Sequence, residues 1–592
     1  MITRVLALLS LAAAAAGAQT PAADIRNTET PNTNTHFAAP RYTHLDEWRA
    51  RRLQLRQQIL VAAGLDPMPE RGALNPQVFG KLDRAGYSIE KVLLETLPHY
   101  YLGGNLYRPD KPGRHPAVLV THGHWTYGRL ENSKNFSGPV LCVNLARQGY
   151  VVLAIDMVGV NDTLQTPHEF GGSREDLWRF GPLGLQLWNS SRALDYLLSR
   201  DDVDGTRIGM TGASGGGSQT FLLTAVDDRI TASAPVNMVS AYMQGGARCE
   251  NAPGLRIGTS NVEIAAMTAP RPMLLVSATG DWTANVPQEE FPAIRGIYTL
   301  FDQTDAVENF HQDADHNYNR NGREAVYRFF AKVLLHDPEW KSYSEQGVDV
   351  ERLQDLLALM GRELPQGAVD YDGLFAEWRA MAGQQVASAD TATLRARFAR
   401  AIGVGCPMHV EHHEQDGVLF LSRAGAGERI PVRVIHNSGA PVLVIHPDGI
   451  AAASALPEIQ QWSQKGRAVA MIDAFQTGSA RAPRDKSAEH FLGFNLTDDA
   501  NRVQDILTTL AFIHENHGGP ANESVQLHCT GVAANWCLVA AAIAPIKISI
   551  DPVPQMPDSP ADDQFLVDHF FVPGLERQGG MAAARRLALG DH

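Results

Sequence analysis

Two stretches far apart in the chain are built alike. PAVLVTHGH at 116–124 and PVLVIHPDG at 441–449 are apolar runs that end in a polar turn. Each is followed by a second apolar run with Ile-Asp near its end, GYVVLAIDMVGVN at 149–161 and GRAVAMIDAFQTG at 466–478. A helical pattern comes next in both, LQLWNSSRALDYLLSR and DANRVQDILTTLAFIHE. Then RIGMTGASGGGSQTFLLTA and VQLHCTGVAANWCLVAAA each read as strand, tight turn and helix. Short runs that are apolar throughout suit strands buried on both faces, and the intervening helices supply the cover. The predicted fold class is therefore α/β, a three-layer αβα arrangement around a mostly parallel sheet, present twice in tandem. A repeat of this length is not a solenoid period.

The 592 residues allow several domains. The opening MITRVLALLSLAAAAAGAQT has Arg4, an apolar run and a small-residue Ala16-Gly17-Ala18 site, the pattern of a secretory signal peptide over 1–18. Export implies a secreted or periplasmic protein with no membrane span after cleavage. A Thr/Asn/Pro-rich stretch at 19–42 reads as a flexible leader. The first α/β unit then covers 43–340, a charged helical connector 341–400, and the second unit 401–592. Gly86 to Pro109 is β-prone and interrupted by Gly103-Gly104, which suggests a hairpin. The formal net charge of −14 argues against a nucleic-acid partner, which needs a basic face. Five cysteines leave at least one thiol unpaired, and Cys529 with Cys537 is locally the most plausible disulfide.

The chemistry concentrates in the first unit. Gly212-Ala213-Ser214-Gly215-Gly216 fits G-x-S-x-G and sits between a strand and a helix, where a strained turn lifts the serine above the sheet. A serine nucleophile needs a base and an orienting acid, in the chain order serine, acid, histidine. Asp281 follows the buried strand RPMLLVSATG, and His316 lies before the last helix; His311 and Glu250 are the competing base and acid. The oxyanion of an acyl transfer would take the N–H of Gly215 and that of His124 or Trp125. Arg248, Glu250 and Trp282 are expected to shape the substrate pocket. His409, His412 and His413 cluster, but with no H-E-x-x-H or paired C-x-x-C spacing they read as a strand end, and no metal site is assigned.

The stretches EWRARRLQLRQQILVAAGLDPMPER, THGHW, GASGGG, CENAPG, APRPMLLVSATGDWT and HNYN make residues 44–335 resemble an α/β-hydrolase of the acetylxylan esterase and dienelactone hydrolase type. The resemblance implies secreted ester hydrolysis on plant cell-wall carbohydrate, with acetyl the first expectation and methyl-uronate the alternative, and no metal or organic cofactor. A prolyl oligopeptidase-type peptidase shares the fold but usually carries a β-propeller, and no blade-length repeats occur here. A pure binding protein would have no use for Ser214, Asp281 and His316 together. In the second unit Ala533 aligns with Ser214, and fewer positions follow Asp551 than separate Ser240 from His316. The expectation there is a truncated, degenerate, non-catalytic α/β-hydrolase copy.

Overall fold

The computed structural model describes residues 23–590 apart from 438, 517–523 and 553–562, so the expected signal peptide lies outside the described residues. A nine-stranded sheet comes first. Its strands are β1 (Gln77–Arg84), β2 (Tyr87–Leu97), β3 (Tyr100–Pro109), β4 (His115–Thr121), β5 (Val151–Ile155), β6 (Val203–Ala213), β7 (Ala232–Val236), β8 (Met273–Gly280) and β9 (Val307–Asp315). Their order is β1-β2-β3-β5-β4-β6-β7-β8-β9. The first three form an antiparallel meander, and β5 through β9 run parallel.

The apolar runs are buried on both faces, as their composition requires. Ala117 and Leu119 pack with the helices Leu45–Ala62, Pro182–Leu198 and Gly215–Val226. Val118 and Val120 face the other way, onto Gly138–Gln148 and Arg320–Phe330. Each buried Val or Leu among them contributes about 1.5–3 kcal/mol. The glycine pair is not at the hairpin turn. The turn falls at Pro98-His99, with His99 at φ 57°, and Gly103 and Gly104 lie inside β3. They are glycines because neighbours come too close: a Cβ on Gly103 would lie 2.3 Å from Asp162 Cβ, and one on Gly104 2.7 Å from the Ala154 carbonyl.

A second sheet has seven strands, β10 (Val410–Gln415), β11 (Val418–Arg423), β12 (Ile430–Ile435), β13 (Gly439–Ile445), β14 (Arg467–Ile472), β15 (Val525–Cys529) and β16 (Ile548–Ile550). Its order, β10-β11-β12-β14-β13-β15-β16, and its strand directions repeat those of β1-β2-β3-β5-β4-β6-β7. Among the described residues nothing in it corresponds to β8 and β9. Helices Tyr371–Ala387 and Thr391–Ile402 lie between the two sheets in sequence. His412 and His413 are successive residues of β10, set against Phe512 and Phe420 respectively.

The leader departs from its composition. Residues 24–37 are strapped across both units. Arg26 bonds Asp24 and, at 2.6 Å, Asp505 in the second unit, while Ile25 N–H reaches the Gly427 carbonyl at 3.1 Å. Phe37 N–H then bonds the Ala241 carbonyl at 2.8 Å in the first unit. A polar segment lacks a core of its own, but here it borrows one, with a buried ion pair and backbone partners from its neighbours. The two units also meet directly. Gly254 and Arg256 N–H groups donate to the Leu492 and Gly493 carbonyls at 2.7 and 2.8 Å. A cavity of about 310 Å³ lies at this contact, lined by Gln58, Arg179, Gly254, Arg400 and Leu496, away from Ser214.

Candidate active site

Ser214 stands between β6 and the helix Gly215–Val226 with φ 58° and ψ −127°. A non-glycine residue held there costs on the order of 1–3 kcal/mol, so the surroundings must impose it. They do so through small residues. A Cβ on Gly212 would lie 2.4 Å from Thr121 Oγ1, and one on Gly216 2.6 Å from the Thr121 carbonyl. Thr121 Oγ1 donates to the Gly216 carbonyl at 2.9 Å, tying the end of β4 to the elbow.

His316 follows β9, and its Nδ1 lies 2.9 Å from Asp281 Oδ2. The Asp281 side chain is 1% exposed. Its other oxygen accepts from Thr283 N–H at 2.7 Å and Thr283 Oγ1 at 2.5 Å. The carboxylate is thus fixed by the turn after β8 and presents one oxygen to the ring. Trp125 stacks parallel to His316 at 6.2 Å and Trp282 lies tilted at 4.4 Å. Trp125 is also near the elbow, since a Cβ on Gly123 would meet both its ring at 2.6 Å and Ser214 Cβ at 2.8 Å. Trp125 thus lies beside both the Ser214 elbow and the Asp281–His316 pair. His311 is not part of it: it lies on β9 with Nδ1 2.8 Å from Ser277 Oγ.

The turn after β4 is built on a residue that sequence reading passed over. His122 is buried. Its Nε2 accepts from Met157 N–H at 2.9 Å, so its Nδ1 carries the proton toward the Gly123 carbonyl at 2.8 Å. Burial pushes its pKa down to about 3, so the ring stays neutral. This fixes the backbone of His124 and Trp125 against the end of β5. Among the described residues the N–H groups of Gly215, His124 and Trp125 have no acceptor. Beneath the turn, Arg129 bonds Asp156 and, at 2.6 Å, Asp162; burial raises Asp156 to about 6 against the pull of Arg129.

The remaining expected pocket residues separate into two kinds. Trp282 lines the ring of His316, and its buried indole N–H has no partner among the described residues. Arg248 is 37% exposed at the mouth, 3.9 Å from Asp176. Glu250 is different: it is 4% exposed, and its carboxylate accepts from Ser218 Oγ at 2.8 Å and Gly246 N–H at 3.0 Å. Its oxygens are committed to the loop and to the elbow helix, neither to His316 nor to the open mouth.

The second unit has a different elbow. The left-handed residue after β15 is Gly531, φ 54°, and Ala533 is already the first residue of the helix Ala533–Ile543, fully buried. The exposed apex is Gly531-Val532, so the sequence alignment of Ala533 with Ser214 is displaced by two positions in space. Cys529 and Cys537 form a disulfide across this turn.

Residues 102–333 match the model of the dienelactone hydrolase family. This part of the chain is a dienelactone hydrolase family domain. The proteins it is most usefully compared with are named as hydrolases and esterases. The chain is 33% identical to the solved structure of Methylesterase BT1017, covering 59% of this chain and 78% of that one, with a TM-score of 0.51. It is 30% identical over 192 residues to YtaP of Bacillus subtilis (strain 168), named as a hydrolase, covering 30% of this chain and 62% of that protein. It is 26% identical over 155 residues to the acetyl esterase Axe7A of Xylanibacter ruminicola, covering 24% of this chain and 33% of that protein. The chain thus spans less than two thirds of either curated relative.

Proposed function

We propose that the first unit is a serine esterase that removes a small ester group from carbohydrate, with Ser214, His316 and Asp281 as its triad. The observation that carries this is the fixed Asp281–His316 pair together with a strained, half-buried Ser214 at the elbow. His316 takes the Ser214 Oγ proton as the oxygen attacks the ester carbonyl. Asp281 holds the ring with its proton on Nδ1 and stabilises the imidazolium. The oxyanion settles on the N–H of Gly215 and that of His124 or Trp125, which are free to donate. His316 protonates the departing alcohol, and a water activated by the same ring releases the acid. Trp125 and Trp282 offer flat apolar surface to a sugar ring.

Among small esters, a methyl ester of a uronate is favoured over acetyl. The likeness to a methylesterase is at higher identity and covers far more of the chain than the likeness to an acetyl esterase. Arg248 at the mouth supplies a cation for a neighbouring carboxylate. We read the second unit, 401–592, as a degenerate copy that performs no chemistry and supports the loop 248–254, and the first 18 residues as an export signal. The test is a panel of methyl-esterified, acetylated and feruloylated glycans, with methanol and acid release followed by mass spectrometry. Methanol release, abolished by Ser214→Ala, supports the reading. Acetate release would move the substrate, and release that survives Ser214→Ala would sink the triad.

A further inference from the structure

Three side chains converge beside the elbow and have no part in the proposed triad. His124 Nε2 lies 3.1 Å from His168 Nε2 and 3.2 Å from Cys249 Sγ. All three atoms fall within 4.8 Å of one another, and no other such His/Cys/acid group occurs among the described residues. They come from three separate loops, after β4, β5 and β7.

His168 Nδ1 lies 2.6 Å from the Val158 carbonyl, so it carries the ring's hydrogen. In the neutral ring Nε2 is then a bare lone pair. His124 Nε2 can bring one hydrogen at most, yet faces both that lone pair and the sulfur. With the thiol hydrogen of Cys249 counted, at most two hydrogens serve three electron-pair donors that face one another. A ring whose other nitrogen donates to a carbonyl is the usual setting of a metal-binding histidine.

We propose that His124, His168 and Cys249 form a binding site for a borderline transition-metal ion of the zinc type. Thiolate and imidazole donors select such ions over magnesium or calcium. Tetrahedral zinc, with Zn–N of about 2.0–2.1 Å and Zn–S of about 2.3 Å, sets its ligands about 3.3–3.6 Å apart. Separations of 3.1 and 3.2 Å need only a small outward relaxation. Cys249 is buried while His124 is exposed, so the fourth position opens toward solvent. Glu169 stands on that side, with Oε1 3.9 Å from His168 Nε2. On binding, the Cys249 thiol gives up its proton to solvent and the sulfur bonds the ion. The ion clips three loops together at the mouth. One is the His124–Trp125 turn, whose ring rests on Gly215: a Cβ there would lie 2.7 Å from His124 Cε1. The role is therefore to position the turn, and metal binding stands independently of the ester assignment.

The test uses the full-length protein stripped of metal and titrated with cobalt. We expect one cobalt per chain, with a thiolate-to-metal charge-transfer band and the visible bands of a tetrahedral ion. Cys249→Ser should lose the charge-transfer band, and His168→Ala should weaken binding about 100-fold or more. Cys406→Ser, a thiol outside the cluster, should leave the titration unchanged. Serine labelling by a phosphonate probe, together with near-UV circular dichroism, checks that each variant is folded; if Cys249→Ser is not, His168→Ala carries the comparison. Bound zinc should also raise the melting temperature of the wild type and not that of His168→Ala. Failure of the wild type to retain cobalt or zinc through gel filtration would overturn the proposal. So would equal binding by the wild type and His168→Ala.

Discussion

The two strand–turn–helix elbows differ at one point of backbone. In the first unit Ser214 takes φ 58° with a side chain attached, and Gly212, Gly216 and Thr121 crowd it into place. In the second the positive φ belongs to Gly531, which holds it without strain. The following Val532 and Ala533 are helical. The comparison separates what a sheet needs in order to turn into a helix from what a nucleophile needs in order to be displayed. The first unit keeps the costly version at Ser214. The second keeps the connection, pins it with the Cys529–Cys537 bond, and drops the strain.

The sharpest way to break this comparison is at the apex. Ser214→Ala should lose on the order of 10⁶ in kcat and stay folded. Ala533→Ser should gain no activity, because that position is buried in helix; turnover from Ala533→Ser in a Ser214→Ala background would erase the distinction. Asp281→Asn should cost about 10⁴ in kcat, because the amide favours the wrong tautomer of His316. Steady-state kinetics with intact near-UV spectra would check it.

Smaller effects sharpen the structural side. Replacing Cys529 and Cys537 together by Ser opens a loop of sequence separation 8. Chain entropy predicts a loss of about 2.5 kcal/mol from the unfolding free energy, with turnover unchanged. A denaturant titration would measure it, and an equal loss of activity would mean that the second unit does more than support. The last effect belongs to His122. Its folded pKa is about 3 against an ordinary 6.5, so between those values the unfolded chain holds the extra proton. Its contribution to stability is complete above pH 6.5 and declines as pH falls toward 3, by about 1.4 kcal/mol per pH unit. His122→Asn should flatten that part of the stability profile; an unchanged slope would place the proton elsewhere.

Much of the first unit was legible because its signals are local. Apolar strands such as PAVLV carry their double-sided burial in composition, and G-A-S-G-G needs only its neighbours to read as an elbow. The Asp281–His316 contact was legible because loop order along a parallel sheet fixes which ends meet. The leader misled because its composition says nothing of a buried Arg26–Asp505 pair. Ala533 misled because alignment does not see which residue takes the positive φ. Residues 124, 168 and 249 share no spacing rule, and only the folded chain puts them together. Glu250 looked like a free carboxylate because Ser218 and the Gly246 amide are invisible as partners in one dimension.

The strap at residues 24–37 has a consequence in time. Arg26 finds its partner 479 positions later, in a helix of the second unit. Chains are made from the amino end, and early domains generally fold first. This segment is therefore synthesised well before the helix that seats it. Until Asp505 has been made, its guanidinium has no pocket, and the molecule stays unclasped however well its first sheet has formed. The strap thus ties a segment to a partner that is made 479 positions after it.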